Sequence, residues 1–227
     1  MPQSFTIGNL SFNFYGLFLA FGLLASYLYS SKKRNLFGLT QKTIDFAYLL
    51  GIFGAVIGAR LYHVLDYWSF YKNNILSVFK IWNGGLGIFG ALVGGVLGVF
   101  LAAKIYRLKL IKLLNLIFPS ILFSQSIGRI GNFFNHEAYG LSNQPVFLYE
   151  SILCLFAFLI FVFFIKKKHL GFAYYLIAYG LIRIFTEFLR IDTWTIFSFK
   201  IAYFFSILMI VTGIFFMVYF FDEDFRD

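Results

Sequence analysis

The amino-acid sequence predicts an all-α, polytopic integral membrane protein of about seven transmembrane helices, its N-terminus outside and its C-terminus cytoplasmic. Three observations carry that expectation. Of 227 residues, 60% are hydrophobic and only 13% are charged, about half the charged share of a soluble domain. Apolar stretches long enough to cross a bilayer recur along the chain. Basic residues gather in alternate loops between them. A soluble enzyme and a disordered chain are excluded, because so few charges cannot clothe a water-facing surface. A single Cys excludes an internal disulfide framework. The excess of 19 Lys+Arg over 10 Asp+Glu marks loop charge in so apolar a chain, and no nucleic-acid partner is expected.

A membrane helix needs about 20 mainly apolar residues. The first stretch, residues 1–31, is free of charge, and its basic residues follow the apolar run. It therefore reads as a retained helix and not as a cleavable signal peptide. The second, residues 44–65, is interrupted near its end by Arg60, and the third, residues 81–103, is uncharged. The fourth, residues 113–133, closes at Arg129, and the fifth, residues 146–165, has Glu150 near its start. The sixth, residues 171–190, carries Arg183, Glu187 and Arg190, and the seventh, residues 201–221, is again uncharged. No linker or internal repeat divides them, so residues 1–227 read as a single seven-helix membrane domain.

Orientation follows from the loops. Lys32, Lys33, Arg34 and Lys42 lie between the first two spans, Lys104, Arg107, Lys109 and Lys112 between the third and fourth, and Lys166, Lys167 and Lys168 between the fifth and sixth. Lys- and Arg-rich loops stay in the cytoplasm. The acidic tail, Asp222, Glu223, Asp224 and Asp227, does not upset this, because acids contribute little to the rule; it reads as a solvated end.

With that topology, every Arg and Glu inside a span falls in the outer half of the membrane; Asp45, at the inner start of the second span, goes with the cytoplasmic loop. Such charges cost about 2.5–3.5 kcal/mol each on insertion scales and so point to function. Arg60 and Arg190 sit near helix ends, where a long side chain can snorkel to the interface. Arg183 lies too far in for that. At 100° per residue, Tyr179, Arg183, Glu187 and Arg190 share a stripe about 80° wide, which must face the protein interior. The stripe can serve as an internal ion-pair network. It can also bind a ligand if Glu187 orients one Arg while another keeps donors free, since the guanidinium fork suits phosphate. Gly51, Gly54, Ala55 and Gly58 on the second span, and Gly87, Gly90, Ala91, Gly94 and Gly98 on the third, are spaced for close helix approach. Trp82-Asn83-Gly84-Gly85-Leu86-Gly87 opens the third span.

The richest polar segment runs Gly128-Arg129-Ile130-Gly131-Asn132-Phe133-Phe134-Asn135-His136-Glu137-Ala138-Tyr139-Gly140. A segment this polar between apolar helices faces water, headgroups or a polar cavity. It resembles the G-R-x-G-N-F-x-N-x-E-x-x-G signature of the prolipoprotein diacylglyceryl transferase family at every fixed place. Other blocks of that family follow in order: Phe14-Tyr15-Gly16, Gly58-Ala59-Arg60, the Trp82 block, Pro145 with Leu148-Tyr149-Glu150, and Tyr179-Gly180-Leu181-Ile182-Arg183 with Glu187 and Arg190. The resemblance spans essentially the whole chain.

What the resemblance implies is an enzyme of the bacterial cytoplasmic membrane, multi-pass, with its active site toward the outer face. It would transfer the diacylglyceryl group of phosphatidylglycerol to the lipobox cysteine thiol of a prolipoprotein signal peptide. A thioether forms and glycerol phosphate leaves, with no cofactor and no metal. Arg129, Arg183, Glu187 and Asn132 are the catalytic candidates. Arg129, Asn132, Asn135, Tyr15, Gly140 and Arg183 are the phosphatidylglycerol-binding candidates. Arg60, Glu137, Glu150, Tyr179, Arg190 and His136 stand in a second rank. The family commonly carries a His followed by two Gly where this chain has Phe89, Gly90 and Ala91. Phe89 cannot take a proton, so the base is left open between no dedicated group and an outer-side His such as His136 or His63. Cys154, among Leu and Phe, is expected to be an inert buried thiol. The alternative is a transporter or flippase for an anionic lipid or solute. Such proteins place their sites near the midplane and often show repeated halves. A non-catalytic scaffold leaves the polar signature unexplained.

Overall fold

The computed structural model describes residues 3–8, 10–80, 85–165, 168–191, 195–196 and 199–221. Trp82, Asn83 and Gly84 of the glycine-rich block, Lys166 and Lys167 of the third basic loop, and Asp222, Glu223, Asp224 and Asp227 lie outside the described residues. The elements run β1 (Ser4–Ile7), β2 (Leu10–Asn13), α1 (Phe14–Lys33), α2 (Gln41–Asp66), a short α3 (Trp68–Tyr71), α4 (Ile88–Ile105), α5 (Leu110–Asn135), α6 (Val146–Phe163), α7 (Gly171–Leu189), β3 (Thr195–Ile196), β4 (Phe199–Lys200) and α8 (Ile201–Phe221). Among the described residues six helices are long and apolar enough to cross a membrane, and the helix in the third span is a shorter apolar one. The chain is thus a polytopic, mainly helical membrane protein.

One boundary differs from the sequence expectation. The first apolar stretch is not helical throughout: β1 and β2 pair antiparallel, Ser4 opposite Asn13 and Ile7 opposite Leu10. Polar and apolar residues alternate through Ser4-Phe5-Thr6-Ile7, the period of a strand. Gly8, at φ +61°, supplies the left-handed turn residue. The helix begins only at Phe14, where Asn13 Oδ1 accepts the Tyr15 N–H at 2.8 Å, as an N-terminal capping Asn does.

The chain divides into two compact units, Arg34–Leu113 and Met1–Lys33 with Leu114–Asp227. In the first, α2 and α4 meet backbone to backbone. A Cβ on Gly58 would run into the Gly90 carbonyl, one on Gly54 into the Gly94 carbonyl, and one on Gly98 into the Leu50 carbonyl. Only glycine allows that approach, which the spacing of small residues anticipates.

In the second unit, short polar side chains join the helices. Ser26 and Ser120 hydroxyls lie 2.6 Å apart between α1 and α5. Ser151 on α6 donates to the Ser126 carbonyl on α5 at 2.5 Å, and Tyr174 on α7 donates to the Ala157 carbonyl on α6 at 2.7 Å. Pro119 sits inside α5 and removes the hydrogen bond to the Asn115 carbonyl one turn back. Gly171, the first residue of α7, packs against that same carbonyl, and the Phe172 N–H donates to Asn115 Oδ1 at 2.9 Å. Leu122, Cys154, Phe158, Tyr175 and Leu176 form a buried cluster among α5, α6 and α7.

Candidate active site

Three helices of the second unit bring four charged side chains together. Arg129 comes from α5, Glu150 from the first turns of α6, and Arg183 and Glu187 from successive turns of α7. Arg129 Nη2 lies 2.8 Å from Glu150 Oε1. Arg183 Nη1 lies 3.3 Å from Glu150 Oε2, and its Nη2 lies 2.6 Å from Glu187 Oε2. The charges therefore alternate as Arg129, Glu150, Arg183, Glu187. Tyr179 joins the chain from α7: its hydroxyl accepts from Arg129 Nη2 at 3.1 Å and donates to Glu150 Oε1 at 3.1 Å.

Burial within the cluster is uneven. The Glu150 side chain is fully buried, whereas those of Arg129 and Arg183 keep 22% and 16% of their exposure. Buried carboxylates are tolerable only when paired, and here each has an arginine. Not all guanidinium donors are used. Among the described residues, Arg129 contacts Glu150 and Tyr179 through Nη2 alone, and Arg183 spends its two terminal nitrogens on Glu150 and Glu187. Among the described residues, Nε and Nη1 of Arg129 and Nε of Arg183 have no partner.

The polar segment closes α5 and turns toward α6. His136 and Ala138 adopt left-handed backbone, at φ +57° and +61°. Asn132 is buried, and its Nδ2 donates to Glu137 Oε2 at a long 3.4 Å; Asn135 Nδ2 donates to Glu137 Oε1 at 3.5 Å. Both asparagines thus face the carboxylate of the exposed Glu137. His136 is exposed. Gly140 sits against α7: its backbone bridges Arg190, and its N–H donates to the Gln144 carbonyl at 2.9 Å. Gly140 and Arg190 are thus brought together through their backbones. Tyr15, at the start of α1, packs over Gly131 of α5.

Arg60 belongs to the other unit, and its surroundings overturn the expectation of a snorkelling helix end. It is only 7% exposed. Its Nε donates to the Val78 carbonyl at 2.8 Å and its Nη1 to the Gly85 carbonyl at 3.0 Å. Its Nη2 reaches the Ser77 and Lys80 carbonyls at 2.5 and 3.2 Å. The guanidinium also lies 5.2 Å from the centre of the Tyr71 ring. Arg60 thus clamps the loop after α3. Beside it, His63 stacks on Tyr67 and its Nδ1 lies 3.1 Å from the Tyr71 hydroxyl. Cys154 is a free, fully buried thiol.

Two participants escaped the sequence. Gln125 stands one turn before Arg129 on α5 and donates through Nε2 to the Tyr175 hydroxyl at 3.1 Å. Lys200 donates to the carbonyls of Glu187 and Arg190. A helical projection of α5 would have placed Gln125 beneath Arg129; nothing in the sequence marks Lys200, whose partners are backbone.

Fold and site together define a polytopic membrane protein that keeps an alternating Arg–Glu cluster, with unspent guanidinium donors, inside its helices. A family model described as prolipoprotein diacylglyceryl transferase matches residues 2–219. A phosphatidylglycerol–prolipoprotein diacylglyceryl transferase of Staphylococcus haemolyticus is 34% identical, over 96% of this chain and 87% of the relative. Proteins of the same name are 32% identical in Finegoldia magna, over 93% and 92%, and 35% identical in Staphylococcus aureus strain JH9, over 96% and 88%. The chain belongs to the prolipoprotein diacylglyceryl transferase family.

Proposed function

We infer that this chain transfers the diacylglyceryl group of phosphatidylglycerol to the lipobox cysteine of bacterial prolipoproteins, the first step of lipoprotein maturation. It works as a single seven-helix membrane domain in the cytoplasmic membrane, N-terminus outside, with the Arg–Glu cluster toward the outer face. The distribution of Lys and Arg among the loops supports that orientation.

The cysteine sulfur attacks the glyceryl carbon that bears the phosphate. A C–S bond forms, the C–O bond to phosphate breaks, and its electron pair leaves on the phosphate of glycerol phosphate. The thiol proton passes to the departing phosphate or to water. Negative charge gathers on the phosphate as it leaves, and fixed cations stabilise that charge most in a water-poor site. The observation that carries this reading is the donor count: Arg129 and Arg183 are both anchored by Glu150, yet both keep N–H groups unspent. Glu187 orients Arg183. Asn132 and Asn135 add donors at the phosphate, Gly140 lets the polar segment lie close beside them, and Tyr15 holds a headgroup oxygen. Tyr179 and Glu150 steady the arginines; Glu137, Arg190 and His136 shape the surroundings.

The test is incubation of the purified protein in phosphatidylglycerol vesicles with a lipobox peptide, followed by mass measurement. The peptide gains one diacylglyceryl group at its Cys, without added metal, and a peptide with Ser in place of Cys gains none. No mass increase under any lipid composition would overturn the assignment.

A further inference from the structure

Lys200 closes β4 and immediately precedes α8. Its Nζ donates to the carbonyl of Glu187 at 2.7 Å and to that of Arg190 at 3.0 Å. The last four carbonyls of a helix lack intrahelical partners, and that end carries partial negative charge. An ammonium delivered from the end of β4 answers both at the end of α7. The two carbonyls are not arbitrary ones. The Glu187 side chain holds Arg183 at 2.6 Å, and the Arg190 backbone pairs with Gly140 of the polar segment. Glu187 is thus gripped from two sides, its carbonyl by Lys200 and its carboxylate by Arg183. Among the described residues no carboxylate pairs with Lys200; its recorded partners are the two backbone carbonyls.

We propose that Lys200 is a positioning residue for the Arg183–Glu187 pair; what that pair then does rests on the transferase reading above. By sealing the last turn of α7, Lys200 fixes the height of the Glu187 carboxylate. That carboxylate sets the plane of the Arg183 guanidinium and the direction of its remaining N–H. Without Lys200 the terminal turn is free to fray, the carboxylate drifts, and Arg183 loses its orientation while keeping its charge.

The experiment is a double-mutant cycle. Lys200→Met keeps the length of the stem and loses the donors; it is expected to lower kcat about tenfold, with KM for the lipobox peptide unchanged. Lys200→Arg can still donate to both carbonyls, and is expected to restore kcat to within about threefold of wild type. The decisive variant combines Lys200→Met with Glu187→Gln. If Lys200 acts through Glu187, the double variant is no slower than Glu187→Gln alone. Multiplying effects would show an independent or merely structural role and overturn the proposal. If Lys200→Met does not accumulate as folded protein, Lys200→Gln, with one donor, carries the same cycle. If the wild-type chain transfers nothing, the transferase reading alone fails. The cycle is then run on affinity for phosphatidylglycerol in nanodiscs, where non-additivity upholds the positioning role and additivity removes it.

Discussion

Arg129 and Glu150 form an ion pair of unequal burial: at 2.8 Å separation the carboxylate is fully enclosed, while the guanidinium side chain keeps 22% of its exposure. The asymmetry gives the two partners different tasks. Glu150 has no access to water and depends on its arginines for compensation. Arg129 is anchored through Nη2, and its side chain stays partly exposed. Because Arg183 shares the second oxygen of the same carboxylate at 3.3 Å, one buried acid fixes the spacing of two cations contributed by different helices.

Removing that acid is expected to damage the fold as well as the site. Glu150→Ala leaves two arginines facing each other in a poorly hydrated space, and breaking a buried pair costs about 3–5 kcal/mol. Glu150→Gln keeps the shape and the acceptor for Tyr179, and should unfold between wild type and Glu150→Ala. Thermal unfolding in detergent checks the order. An Ala variant within about 1 kcal/mol of wild type would show the pair to be energetically idle.

Arg183→Lys is expected to fail nearly as badly as Arg183→Ala. Arg183 spends separate nitrogens on Glu150 and Glu187, and a single ammonium cannot span both and still face a ligand. Loss of a charged hydrogen bond at a developing anion is worth about 3 kcal/mol, or roughly a hundredfold in rate. Transfer rates of the folded variants test this. Near-normal turnover in the Lys variant would mean that only diffuse positive charge matters there.

Arg60→Lys is expected to be severe, though on stability more than on chemistry. Four loop carbonyls share this guanidinium. A lysine ammonium reaches fewer of them, and a hydrogen bond to a charged group contributes about 1.5–3 kcal/mol. Limited proteolysis of the loop around Ser77 and Val78 should quicken in the variant. A loop as resistant as wild type would refute the clamp.

The sequence made the spans legible because an apolar run longer than a bilayer core has few other uses. It also made the stripe Tyr179–Arg183–Glu187 legible, because three residues on one helix obey one periodicity. Glu150 was visible only as a charge near a helix start. Its pairing with Arg129 and Arg183 joins three separate helices, and no local pattern encodes such a meeting. Arg60 was misread for a related reason: its partners are backbone carbonyls, which every residue has. The same holds for Lys200. The hairpin before α1 stayed hidden because a short apolar run fits strand or helix equally well until its alternation is counted.

Phe89 stands where the family resemblance implies a His, and His136 lies within the polar signature. Its ring is exposed, and its backbone, at φ +57°, is left-handed. Asn tolerates that conformation better than most residues, so His136→Asn removes the imidazole without adding backbone strain. If the arginines already favour the thiolate, a dedicated base contributes little, because positive charge nearby stabilises the charged form of a thiol. His136→Asn is then expected to keep at least about a tenth of the wild-type rate, a barrier change below about 1.4 kcal/mol. Single-turnover measurement with a lipobox peptide decides between the two. A loss beyond about a hundredfold, in a variant that still binds phosphatidylglycerol, would make His136 the base and leave Arg129 and Arg183 to serve the phosphate alone.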